Sequence, residues 1–319
     1  MLRAGIINVR SFIESDTLTE KFMCENNGKE KLLIGLGIQR PEKKVELYDI
    51  AKGEMNDPIW SCTTTFCGTI SGFKIRNIAP YGDVVLMVGG PCAEMVSYDT
   101  KEVIWRTSNA PSNAHSIELL PNGIVAVAGS SGNAVSFFDI NSDTPDEPKL
   151  TIDYTDGHGV LWDPKNDVLW CAGSNMLYAY AVTLNADGTV TAEKNEELSI
   201  TTPDGGLHDL QACMGKEDIL LLTTANHVYC FDKVKRIFTE AYPDVEGAKT
   251  RWIRSVGYFE NGDFFYTEHD GLPDNWNNTG GWNTTFVYYI DAKTRTLKTV
   301  STTGGRFYKA RIWSPAYQP

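Results

Sequence analysis

No apolar run in this chain of 319 residues approaches the length of a membrane span. The opening MLRAGIINVRSFIESD holds no apolar stretch long enough for a signal-peptide core, so the chain as it stands reads as cytoplasmic, or as secreted if a leader has been removed. There is no C-x-x-C among seven cysteines, an odd set that argues for free thiols, several of them in apolar strand-like runs. No glycine fingerprint sits between a strand and a helix, so a nucleotide-binding role has no support, and no Ser-His-Asp arrangement is readable. Basic surplus is missing too. A formal net charge of −12 argues against nucleic acid and anionic membranes as partners. Helical periodicity is almost absent.

What is present is a repeat. Apolar strands align as LLIGLGI (32–38), VVLMVGG (84–90), IVAVAGS (124–130), VLWCAGS (168–174), ILLLTTA (219–225) and FFYTEHD (264–270). Each is followed by a second strand ending in an aromatic and often Asp, as at Tyr48-Asp49, Tyr98-Asp99, Phe138-Asp139 and Phe231-Asp232, and then by a third. Short alternating strands with regular turns mark an all-β fold. His115, His158 and His208 recur 43 and 50 residues apart, the size of a four-stranded propeller blade. Six units can be counted. The first lacks an inner strand, and the closing segment GGRFYKARIWSPAY supplies one strand with nothing after it. The sequence therefore predicts a single six-bladed β-propeller over 1–319, closed by the C-terminal strand pairing into the first blade, with 1–31 as an extension outside the repeat. Thr17-x-x-Glu20 in that extension matches a helix capping box. The Asp after each aromatic reads as a turn former, and Trp60 and Trp105 as packing between blades.

Three of only five histidines stand at one step of this repeat, where an inner strand begins beside the central channel. Arg254 holds the same step in the blade after His208. Lys74 or Arg76 falls near it in the blade before His115, and Lys309 and Arg311 alternate on one face of the closing strand. A channel mouth ringed by histidines and basic residues is the expected site. Three converging imidazoles could hold a divalent cation such as Mn, Ca or Zn. His227 and His269 fall near hairpins on the same face. So does EHDGLPDNWNNTGGWNTTF (268–286), a long segment whose Trp276, Trp282, Glu268 and amides suit a sugar ring.

NAHSIELLPNG, GHGVLWD, HDLQ and the closing YKARIW resemble an uncharacterised family of bacterial six-bladed propellers, from about residue 75 to the C-terminus. That resemblance implies the fold but no activity. More distantly, the histidine- and arginine-lined mouth is similar to oligogalacturonate lyases, which bind a metal through histidines.

The functional expectation is an enzyme acting on an acidic, uronate-containing saccharide by β-elimination. Arg254 with Arg76, Lys309 or Arg311 would hold the carboxylate. One of His115, His158 and His208 would take the proton, or His269 or His227 if a metal occupies the three. Two alternatives stay open. A glycoside hydrolase would use a carboxylate pair from Asp156, Asp204, Asp209 and Glu268. A non-catalytic ligand-binding or scaffold propeller would use none of these. The expected partner is a small molecule or oligosaccharide.

Overall fold

The computed structural model describes residues 32–242, 244–271 and 281–317. Among them lie six four-stranded antiparallel sheets, each with its innermost strand at one end of the pairing order. The inner strands of blades two to six are Gly72–Ile78, Ala114–Leu119, Gly157–Asp163, Asp209–Ala212 and Ser255–Tyr258. Blade one takes its inner strand, Arg306–Ile312, from the far end of the chain, and this strand pairs with Leu33–Arg40. A ring closed this way leaves no free edge between its first and last units. The described residues include one turn of 3₁₀ helix and no helix long and apolar enough to cross a membrane.

Alternation explains why these segments become blades. In Ile124–Gly129 and Ala134–Asp139 every residue is buried, because both faces of a blade's middle strands meet a neighbouring blade. The apolar clusters accordingly bridge blades: Val84, Leu86 and Met95 of blade two pack with Ile117, Val125 and Phe138 of blade three. Trp60 stacks on Tyr98 of the next blade at 5.0 Å, and Trp105 meets Phe138 at 5.5 Å. Asp49, Asp139 and Asp232 each accept a backbone N–H two residues on, which shapes the turn after the aromatic. The described cysteines are free, four of them buried. The capping-box residues Thr17 and Glu20 lie outside the described residues.

Close approach of the inner strands leaves little room at the channel. A Cβ on Gly72 would stand 2.3 Å from the carbonyl oxygen of His115, and one on Gly159 2.7 Å from Leu210. Glycine at both places lets neighbouring blades meet with the histidine step at the rim.

Candidate functional site at the channel mouth

A β-bulge sets the orientation of the ring residues. Ala114 pairs with Gly129 and Ser116 with Ala128, which leaves His115 as the extra residue between them. His158 is the extra residue between Gly157 and Gly159 in the same way. Such an insertion re-aims a side chain that strict alternation would send elsewhere. His208 and Arg254 continue the pattern. Their amides bond the carbonyls of Thr223 and Thr267, the same residues that pair with the following Asp209 and Ser255. Ser71 holds this step in blade two, through Val88. In blade one an extra residue between Phe307 and Ala310 brings Tyr308 to it. The mouth is therefore Ser71, His115, His158, His208, Arg254 and Tyr308.

Contacts run around this ring. The His115 and His158 rings stack with centroids 4.5 Å apart, and His158 meets His208 edge-on at 5.0 Å. Arg254 donates from Nη1 to Nε2 of His208 at 2.8 Å. On the other side His115 packs on Tyr308 at 5.5 Å. Guanidinium N–H groups only donate, so the His208 Nε2 must carry a lone pair and the ring is neutral. His158 faces the carbonyl oxygen of Asp156 with Nδ1 at 2.9 Å. A carbonyl only accepts, so the proton sits on Nδ1 and Nε2 is free to act as a base.

Burial, then the charges of His158, Lys309, His208 and Arg254, holds His115 well below the ordinary imidazole pKa. Burial, then Arg254, His158 and Lys309, pushes His208 down to about 2. The unfolded chain thus takes up protons below about pH 6.5 that the folded chain refuses. Stability present above that pH is lost as pH falls, by about 1.4 kcal/mol for each such histidine at pH 5.5. Denaturant midpoints should drop between pH 7.5 and 5.5, and His208→Gln should remove part of the drop. An identical drop in the variant would contradict this assignment.

Arg254 is the unusual cation. It is 2% exposed, has no carboxylate within ion-pair distance among the described residues, and its Nε is buried without a partner. The ring of Trp282 lies 4.6 Å from its guanidinium and that of Trp252 5.9 Å. Both indoles are about half exposed. Trp252 has φ +60, a region bulky residues seldom adopt, and such strain gathers at functional sites.

The other basic residues expected at the rim stand deeper and are already paired. Lys74 and Arg76 grip Glu118, Lys74 at 2.8 Å and Arg76 through Nε at 2.7 Å and Nη2 at 2.8 Å. Lys309 bonds Asp209 at 3.2 Å, and Arg311 forks onto it at 2.7 and 2.9 Å. Burial would raise the pKa of both carboxyls, but these cations outweigh it and hold both down. Arg76, Lys309 and Arg311 thus answer internal carboxylates, which leaves Arg254 as the mouth's unpaired guanidinium.

His269 and Glu268 line a separate cleft of about 740 Å³ together with Lys249, Arg251, Trp252 and Tyr288. There Glu268 accepts from Lys249 at 2.5 Å and from Tyr288 at 3.1 Å, and the His269 Nδ1 is buried without a partner. His227 pairs with Asp204 at 3.1 Å, outside the ring. Trp276 lies outside the described residues. Of the four carboxylates considered for hydrolysis, Asp204, Asp209 and Glu268 are each held by a neighbouring histidine or cation, and Asp156 sits beside His158 at 3.3 Å.

The three ring histidines do not fit a metal as they stand. Two are stacked, Arg254 occupies Nε2 of the third, and a cation beside that guanidinium would be repelled. Among the described residues no group of three or more His, Cys, Asp or Glu side chains is arranged to hold one.

Residues 81–248, more than half of the chain, match the model of the family of unknown function DUF6528. The chain belongs to that family. The matched segment of this DUF6528 member contains His115, His158 and His208 and ends before Arg254, Trp282 and Tyr308. No curated protein matches the sequence. Among solved structures, Kuenenia stuttgartiensis hydrazine synthase is similar at 17% identity and a TM-score of 0.47, covering 74% of this chain and 67% of that one. A chain of the mitotic checkpoint complex is similar at 9% identity and a TM-score of 0.50, covering 87% of this chain and 74% of that one. At such identities the second likeness speaks to the fold alone, and the first carries no argument.

Proposed function

We propose that the channel mouth binds a uronate-bearing saccharide and cleaves it by β-elimination. The observation that carries this reading is Arg254, a buried guanidinium with no carboxylate of its own, beside neutral imidazoles and flanked by two half-exposed indoles. A sugar carboxylate would complete the pairing that the other channel arginines find within the protein. An acidic chain with a guanidinium at a recessed mouth repels anions generally and can admit one there.

In the reaction, Arg254 pairs with the carboxylate and takes up the charge that spreads onto it as the adjacent carbon loses its proton. His158 accepts that proton at Nε2, since its Nδ1–H is committed to the Asp156 carbonyl. The electron pair of the C–H bond becomes the new C=C bond, and the C–O bond to the leaving sugar breaks. Burial raises the pKa of the Tyr308 hydroxyl and so keeps it protonated, able to supply the leaving oxygen with a proton. Proton return from His158 to Tyr308 through solvent restores both groups. The indoles of Trp252 and Trp282 offer flat faces for sugar C–H groups.

Incubation with oligogalacturonate should yield a product with a 4,5-unsaturated uronate at its new non-reducing end, visible by its ultraviolet absorbance. New reducing ends without that absorbance would mean hydrolysis. No turnover across uronate and neutral glycans would mean a binding propeller. Either result would overturn the proposal.

A further inference from the structure

Below the mouth the channel carries more positive charge than its carboxylates neutralise. Among the described residues, Lys74, Arg76, Lys309 and Arg311 pair with two carboxylates, Glu118 and Asp209. All six side chains are at most 6% exposed. Ionised groups so buried need compensation, either from a counter-ion or by loss of a proton. The surplus is concentrated at one place. Toward the end opposite the mouth, Lys74, Arg76 and Arg311 line a cavity of about 20 Å³ with Gln211, Ser314 and Tyr317. Neither Glu118 nor Asp209 is in that lining. The Nε of Arg311 is buried there without a partner. Lys74 spends two of its three N–H groups on Glu118 and the Val160 carbonyl. Tyr317, also in the lining, has its ring 4.8 Å from the Arg76 guanidinium and its hydroxyl bonded to the Leu119 carbonyl.

We propose that this cavity is a binding site for one halide-sized monovalent anion, held by Arg311, Lys74 and Arg76. A cavity needs roughly 10–15 Å³ to admit one water-sized occupant, so this one has room for a single chloride or bromide. A water could occupy the same space but would leave the charge surplus unanswered. The chain's net charge of −12 disfavours general anion uptake, so occupancy must come from this local surplus. The site is independent of whatever binds at the mouth. Its role would be to let Lys74 and Lys309 keep their protons, since burial first of all depresses both to about 8.

The test compares thermal unfolding of the full chain in sodium bromide, sodium chloride and sodium gluconate at constant ionic strength. Gluconate carries the same charge on a much bulkier anion. The midpoint should rise saturably with either halide and stay level in gluconate. Ser314→Leu, which fills the cavity and keeps every charge, should abolish the halide dependence. Should that variant not fold, bromide-grown crystals of the unaltered protein give an independent reading, with an anomalous peak expected between Arg311 and Lys74. Equal midpoints in all three salts, or a channel without a bromide peak, would overturn the proposal in favour of a water-filled cavity.

Discussion

Replacing Asp209 with alanine should cost about 3–5 kcal/mol, the usual range when one partner of a buried ion pair is removed. The carboxylate is 1% exposed and answers Lys309 and both outer nitrogens of Arg311, and it also accepts the Val256 amide at 3.1 Å. Its loss strands two cations and an amide at once, and it loosens three blades, because these partners come from blades one and six. Lys309 can relieve part of the penalty by losing its proton, as burial already depresses it to about 8. Arg311 cannot, because a guanidinium stays charged. The double replacement Asp209→Ala with Arg311→Met should therefore be more stable than Asp209→Ala alone. Urea unfolding of the four proteins in this cycle measures the effect. A single-variant loss under about 1 kcal/mol would mean that the channel network contributes little to the fold.

Arg254→Lys keeps the charge and loses the fork. A lysine can still reach one acceptor, but it cannot grip a carboxylate through two parallel N–H groups or lie flat between indoles. Turnover on an acidic saccharide should fall at least about a hundredfold, the scale of losing one donor aimed at developing charge. The loss should appear in kcat more than in KM, because the carboxylate gains charge as the proton leaves. Folding should be nearly unaffected, since among the described residues no carboxylate pairs with Arg254. Equal losses in KM and kcat/KM with kcat unchanged would assign Arg254 to binding alone.

Architecture was legible because the blades repeat the same cues: period-two apolar strands, in most of them an aromatic and Asp at the turn, and a spacing of 43 to 50 residues. Closure was legible from a missing inner strand at one end of the repeat and a surplus one at the other. The histidines could be placed because they share a register with Arg254. Ser71 was missed in favour of Lys74 or Arg76 because blade two was aligned with slack, although counting back from Ser116 to Gly72 reaches Ser71 directly. Tyr308 was hidden by an extra residue in the closing strand, which alternation alone does not reveal. The counter-ions Glu118 and Asp209 left no local signal, since their partners lie 42 to 102 residues away. A rim of free cations was therefore expected where the fold pairs all but Arg254. Family membership in DUF6528 accords with the expectation of a family of unknown function with six blades, and it leaves the chemistry to the site.

The proposed role of Arg254 is to recognise a carboxylate at the mouth. It is tested most directly by calorimetric titration of a galacturonate oligosaccharide against the galactose oligosaccharide of the same length and linkage. The two differ only in a carboxylate where the neutral sugar has a hydroxymethyl group. Binding of the acidic chain alone is expected, abolished by Arg254→Met and weakened by rising salt. Equal binding of both sugars, or acidic binding that survives Arg254→Met, would contradict it.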